Sequence, residues 1–105
     1  MELEQDGDQR NVIKSFKHKG LEKFDKTGCT SGIDPQHETT INDQLTVLST
    51  ATGIGDLRCA PKAWALHELK GKLKGTWSLT VKENWRITFK FKNNDIVSVN
   101  YEDYH

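Results

Sequence analysis

The chain has 105 residues, a formal net charge of zero and 34 % apolar residues, with a mean hydropathy of −0.72. That composition supports one domain with one modest core and excludes two. No apolar run approaches the ~20 residues of a membrane span, and none has the charged start and apolar centre of a secretory leader, so a soluble cytoplasmic domain is expected.

In chain order, residues 1–11 (MELEQDGDQRN) are polar and acidic and are expected to form a disordered or artefactual extension, with a single domain over 12–105. Val12–Phe16 (VIKSF) is rich in β-formers and predicts a short strand. Lys19–Lys26 predicts a short helix, with Leu21 and Phe24 on one face and Gly28 to end it. TGCTSG at 27–32 reads as a loop. The only cysteines, Cys29 and Cys59, match no zinc or disulfide pattern, and two reduced thiols are expected. Asp34–Pro35 is a helix start, since Asp caps free N–H groups and Pro at the first helical position has none to satisfy. Ile41, Leu45, Leu48 and Thr52 then recur at helical spacing, which predicts an amphipathic helix over about Asp34–Ala51. Gly53 and Gly55 stop it, and residues 53–63 read as an irregular connection.

From Thr76 the period changes to two. Trp77, Leu79 and Val81 alternate with Ser78, Thr80 and Lys82, and after a turn at Glu83–Asn84, Trp85, Ile87, Phe89 and Phe91 alternate with Arg86, Thr88, Lys90 and Lys92. Beyond Asn93–Asn94–Asp95 the apolar parity continues at Val97, Val99 and Tyr101. This predicts a three-stranded antiparallel meander with its aromatic face in the core. Arg86, Lys90 and Lys92 then project from the opposite face, beside Ser78 and Thr80. Charge agrees: residues 62–92 hold eight bases against two acids, a local net of +6. Such a surface suits a polyanion such as a phosphodiester backbone, or is a solvated lysine-rich face; charge alone does not choose.

Among residues able to do chemistry, His18 and His37 read as exposed and structural. His67–Glu68 begins like the HExxH metal motif, but Gly71 stands where the second His is needed. No P-loop, dinucleotide fingerprint or nucleophile elbow is present. Two clusters remain, His67–Gly71 (HELKG) and Tyr101–His105 (YEDYH).

The stretches VIKSFKHKGLEKF and ALHELKGKLKGTWSLTVKENWRITFKF, with the closing YEDYH, resemble the HigB toxins of the RelE/ParE superfamily over about residues 12–105. The resemblance implies an α+β fold of order β-α-α-β-β-β, two N-terminal helices packed on an antiparallel sheet. It implies a ribosome-dependent mRNA interferase, which cuts messenger RNA in the A site of the 70S ribosome and is neutralised by a HigA-type antitoxin. No cofactor, metal or membrane is implied, and DNA binding is expected only through the antitoxin. Carried over position by position, the functional residues fall on His67, Lys70, Arg86, Asp103, Tyr104 and His105.

Those residue types suit the chemistry. With the ribose 2′-hydroxyl as nucleophile, the enzyme supplies a base, cations for the phosphorane and an acid for the leaving 5′-oxygen. On this reading His67 and His105 handle protons, Asp103 orients one of them, Tyr104 contacts the substrate, and Arg86 and Lys70 hold the phosphate. Which histidine is acid and which is base stays open. Lys72, Lys74, Lys90 and Lys92 are expected to contact ribosomal RNA, because the long helix (ETTINDQ at 38–44) offers no bases. The alternative is a ParE-like, non-catalytic toxin that binds DNA gyrase and has no need of His67, Asp103 and His105.

Overall fold

The computed structural model describes residues 13–51, 53–58 and 60–103. Val12, Thr52, Cys59, Tyr104 and His105 lie outside the described residues, as do positions 1–11. Helix α1 spans Lys19–Thr27 and α2 spans Glu38–Thr50. A single helical turn, α3, follows at Ile54–Leu57. Four strands come next: β1 (His67–Glu68), β2 (Thr76–Lys82), β3 (Trp85–Lys92) and β4 (Asp95–Asp103). They form one antiparallel sheet in the order β1-β2-β3-β4. This is the α+β architecture expected, helices on one face of an antiparallel sheet. No described helix is long and apolar enough to cross a membrane.

The expected first strand is reduced to two parallel bridges on the β4 edge, Ile13 to Ile96 and Phe16 to Val99. Backbone bonds from Lys14 N to Ile96 O (2.7 Å) and Lys17 N to Val99 O (2.8 Å) hold it there. The meander gains a fourth strand, because His67–Glu68 pairs with Ser78 and Trp77.

Helix α1 buries Leu21 and Phe24, and Gly28 ends it in the left-handed region at φ 79°. His18 is not a surface residue as expected: half-buried, its Nδ1 accepts the Leu21 N–H at 3.0 Å and so caps α1. The single helix expected from Asp34 is divided. Asp34 does cap, accepting from Gln36 N at 2.9 Å, but it opens a 3₁₀ turn over Pro35–His37 before α2 begins. His37 corrects the sequence reading too, being 3 % exposed rather than at the surface. A tertiary partner accounts for the burial of both rings. The Tyr101 hydroxyl lies 2.7 Å from His37 Nδ1 and accepts the Asp34 N–H at 3.3 Å. The His18 ring meets Tyr101 edge-on at 5.3 Å, and Trp85 stacks on it at 4.8 Å. Burial raises the Tyr101 phenol above its usual pKa. Tyr101→Phe leaves His37 and Asp34 without this partner, and a loss of about 1–3 kcal/mol in urea unfolding is expected; an unchanged midpoint would deny Tyr101 this role.

The core lies between α1, α2, α3 and the sheet, with Leu21, Ile41, Leu48, Leu57, Leu79, Ile87, Phe89, Ile96 and Val99 fully buried. Trp77, Trp85 and Phe91 pack against it half-buried, as the alternation predicts. Gln44 on α2 is also buried, and its Nε2 donates to Thr80 O at 2.8 Å, tying α2 to β2.

In β4 the alternation is interrupted. Thr88 pairs with Asn100 but Lys90 pairs with Val97, so β4 carries one extra residue there. Ser98 absorbs it at φ 57°, in the left-handed region. The bulge turns Ile96 inward, where it is fully buried, and leaves Val97 half-buried instead of in the core as expected. At the β3–β4 turn Asn93 and Asn94 both have positive φ, 53° and 70°. That is the two-residue turn whose twist matches its flanking strands, and Asn tolerates it well.

Candidate active site

The sheet face away from the helices carries His67 and Arg86 among a set of polar residues. Register sets its rows: His67, Ser78, Thr88 and Asn100 lie side by side across the four strands. The neighbouring row is Thr80, Arg86 and Glu102, and on the other side Thr76 pairs with Lys90. His67 and Arg86 therefore share this face, two strand spacings (about 10 Å) and one row apart.

The floor is less open than a solvated basic face. Ser78 is fully buried, and Thr76 and Thr88 are nearly so, leaving hydroxyls below and cations around them. A cleft of about 400 Å³ opens over Thr76, Thr88, Ser98 and Asn100, and Leu69, Leu73, Lys17, Lys90 and Glu102 complete its lining. Leu73 is 52 % exposed, unusual for so apolar a side chain. Lys17, Asn100 and Glu102 were not among the residues expected here. Pairing of residues 13–16 with β4 brings Lys17 there, which no local pattern announces, while Asn100 and Glu102 alternate with the buried Val99 and Tyr101 onto this face. Asn100 Nδ2 donates to Glu102 Oε1 at 3.1 Å, which orients the amide.

The β1–β2 loop brings the lysines. Leu69 N donates to Thr76 O at 2.8 Å and Gly75 N to Glu68 Oε2 at 2.9 Å, closing the loop at its base. Gly71 and Gly75 turn it at φ 67° and 95°, values that glycine adopts at little cost. Lys70, Lys72 and Lys74 stand exposed on it. Along β3, Arg86, Lys90 and Lys92 share one parity over about 20 Å, with Lys92 at the far end opposite Asp95. Asp103 is placed differently from His67 and Arg86: it pairs with Trp85, at the parity of the helix-covered face, while Glu102 stands opposite Arg86. Tyr104 and His105 lie outside the described residues, as noted above.

His67 is held by its own backbone. Its Nδ1 lies 2.8 Å from the carbonyl oxygen of Ala65. Among the described residues no group of three or more His, Cys, Asp or Glu side chains is placed to hold a metal ion. Cys29 is a free thiol, and hydrogen bonding to Ser31 lowers its pKa.

Comparison with known proteins places this geometry. Residues 14–105 match the family model described as RelE-like toxin of type II toxin-antitoxin system HigB. The chain is 52 % identical over 94 residues to Endoribonuclease HigB of Proteus vulgaris, covering 90 % of this chain and all of that protein. Among solved structures, a mutant of YafQ from E. coli aligns with a TM-score of 0.57 at 17 % identity, over 89 % of this chain and 92 % of that one. The YoeB dimer of Staphylococcus aureus aligns with a TM-score of 0.56 at 18 % identity, over 91 % and 98 %. At such identities the two structures speak for the fold alone. A family match across the sheet face and the lysine loop, and half-identity over the whole length of a relative, settle the assignment: the chain belongs to the HigB-like, RelE-type toxins of type II toxin–antitoxin systems.

Proposed function

We propose that this chain is the endoribonuclease toxin of its module, cutting messenger RNA in the A site of the 70S ribosome in the cytoplasm, and neutralised by a HigA-type antitoxin. The 52 % identity to Endoribonuclease HigB over that protein's full length carries the reading. The sheet face supports it, since His67 and Arg86 share it and Lys70 stands on the loop at its edge.

In this reaction a base removes the ribose 2′-hydroxyl proton, the 2′-oxygen attacks phosphorus, and the P–O5′ bond breaks. A 2′,3′-cyclic phosphate and a 5′-hydroxyl result. Arg86 and Lys70 hold the phosphate and stabilise charge on its oxygens as it grows. His67 and His105 move the protons, Asp103 orients one of them, and Tyr104 contacts the substrate. The route needs no metal and no cofactor.

Purified protein added to translating ribosomes is the test, with ribosome-free RNA beside it. Cuts mapped by primer extension only on ribosome-bound message support the reading. Growth arrest with intact message would overturn it and point to a gyrase-binding toxin.

Lys72, Lys74, Lys90 and Lys92 serve as contacts to ribosomal RNA phosphates. Each such contact released adds about 0.7–0.9 to the slope of log affinity against log salt. The double variant Lys72→Glu, Lys74→Glu is expected to bind ribosomes at least tenfold more weakly at low salt, with a slope shallower by about 1–2. An unchanged slope would remove these lysines from the interface.

A further inference from the structure

We infer that Ala65 is a positioning residue, whose main-chain carbonyl holds His67 with its proton on Nδ1 so that Nε2 takes the proton from the attacking 2′-hydroxyl. The inference rests on the endonuclease reading above and goes beyond it by giving His67 the base's part.

The tautomer follows from bonding. A carbonyl oxygen only accepts, so at 2.8 Å from Ala65 O the proton between them belongs to Nδ1. In a neutral imidazole the other nitrogen then carries the lone pair. Register places His67 on the row of Ser78, Thr88 and Asn100, on the face that carries Arg86. In the neutral ring Nε2 therefore has the lone pair that a base needs.

The backbone at Ala65 is built for this contact. Ala65 stands at φ 49°, ψ 49°, the left-handed region that a residue with a Cβ adopts only at a cost. It ends the 3₁₀ turn Lys62–Trp64, with its own N–H bonded to Lys62 O at 2.9 Å. On either side Trp64 and Leu66 pack against the core, so the kink lies between two anchors. A strained residue kept at the entry to a site is a reason to look for the contact the strain makes. Here it is the carbonyl turned onto the His67 ring two residues on.

In the reaction the ribose O–H bond breaks and its proton passes to Nε2, leaving His67 an imidazolium with both nitrogens protonated. The 2′-oxygen forms its bond to phosphorus, the P–O5′ bond breaks, and the 5′-oxygen takes a proton from a second group, which leaves that step to His105. The imidazolium returns its proton to water before the next turnover.

The test reads the tautomer directly. Long-range ¹H–¹⁵N spectra of ¹⁵N-histidine-labelled protein report which ring nitrogen is protonated, with the His67 signals identified by their loss in His67→Gln. At a pH where the ring is neutral, the wild type is expected to show a protonated Nδ1 and a bare Nε2. Ala65→Gly, which accepts left-handed backbone at no cost, retains that pattern and cleavage within about threefold. Ala65→Val, whose β-branch opposes that backbone, shifts the pattern toward a protonated Nε2 and slows cleavage by about 10–100-fold. A wild-type ring protonated on Nε2 overturns the inference, and so does an Ala65→Val protein with an unchanged pattern and rate. Should Ala65→Val fail to fold, the wild-type spectrum decides alone. A protein with the expected tautomer that cuts no message on ribosomes overturns the endonuclease reading, and the proton transfer with it.

Discussion

His67→Gln is expected to lower the rate of message cleavage on ribosomes by about 10²–10⁴-fold, the range over which a positioned general base contributes. Glutamine approximates the size of the ring and can still hydrogen-bond, but it accepts no proton at neutral pH. His67 is exposed, on a two-residue strand, and is not among the core residues. The thermal midpoint therefore stays within the small range typical of surface substitutions. That separation of activity from stability distinguishes a chemical role from a structural one. Cleavage within tenfold of wild type would remove His67 from the chemistry, and a large fall in midpoint with it would make the ring a structural element.

Phe89→Ala is expected to cost about 3–5 kcal/mol in urea unfolding, the usual range for emptying a buried aromatic site. Phe89 is the largest side chain that is fully buried. It pairs across strands with Trp77, and its ring meets Phe91 edge-on at 5.8 Å. The backbone around it is fixed by the ladders on both sides of β3, so the site cannot collapse to refill the space. A domain of this size has about 5–15 kcal/mol in total, and the variant therefore loses a large share of it. Trp77→Ala, at a half-buried position across the same pair, is expected to cost less. A Phe89→Ala loss below 1 kcal/mol would mean that the core lies elsewhere.

What the sequence revealed and what it hid differ in range along the chain. Helix α1 and strands β2 and β3 were legible because each is written in a local period, with Leu21 and Phe24 three apart and Trp85, Ile87, Phe89 and Phe91 two apart. The shared face of Arg86, Lys90 and Lys92 followed from the same parity. His37 and Gln44 were not legible as core residues, since their burial depends on Tyr101 and Thr80, 64 and 36 positions away. The misplacement of Val97 has one cause, the extra residue absorbed at Ser98, and a serine does not announce positive φ as glycine would. The sequence offers His67 as a residue type within a specific motif. It does not offer the carbonyl that orders its ring, because Ala65 has no side-chain chemistry of its own and acts through its backbone. Lys17 entered the cleft through long-range pairing alone.

In the proposed reaction the RNA supplies its own nucleophile to a face that supplies His67, Arg86 and Lys70. This is tested most directly on ribosomes programmed with two messages that differ only at the mapped cut, one with ribose and the other with 2′-deoxyribose on the 5′ side. The account predicts cleavage of the first, ending in a 2′,3′-cyclic phosphate and a 5′-hydroxyl, and none of the second. Equal cleavage of both would mean that water or a protein group attacks the phosphate, and would contradict the account.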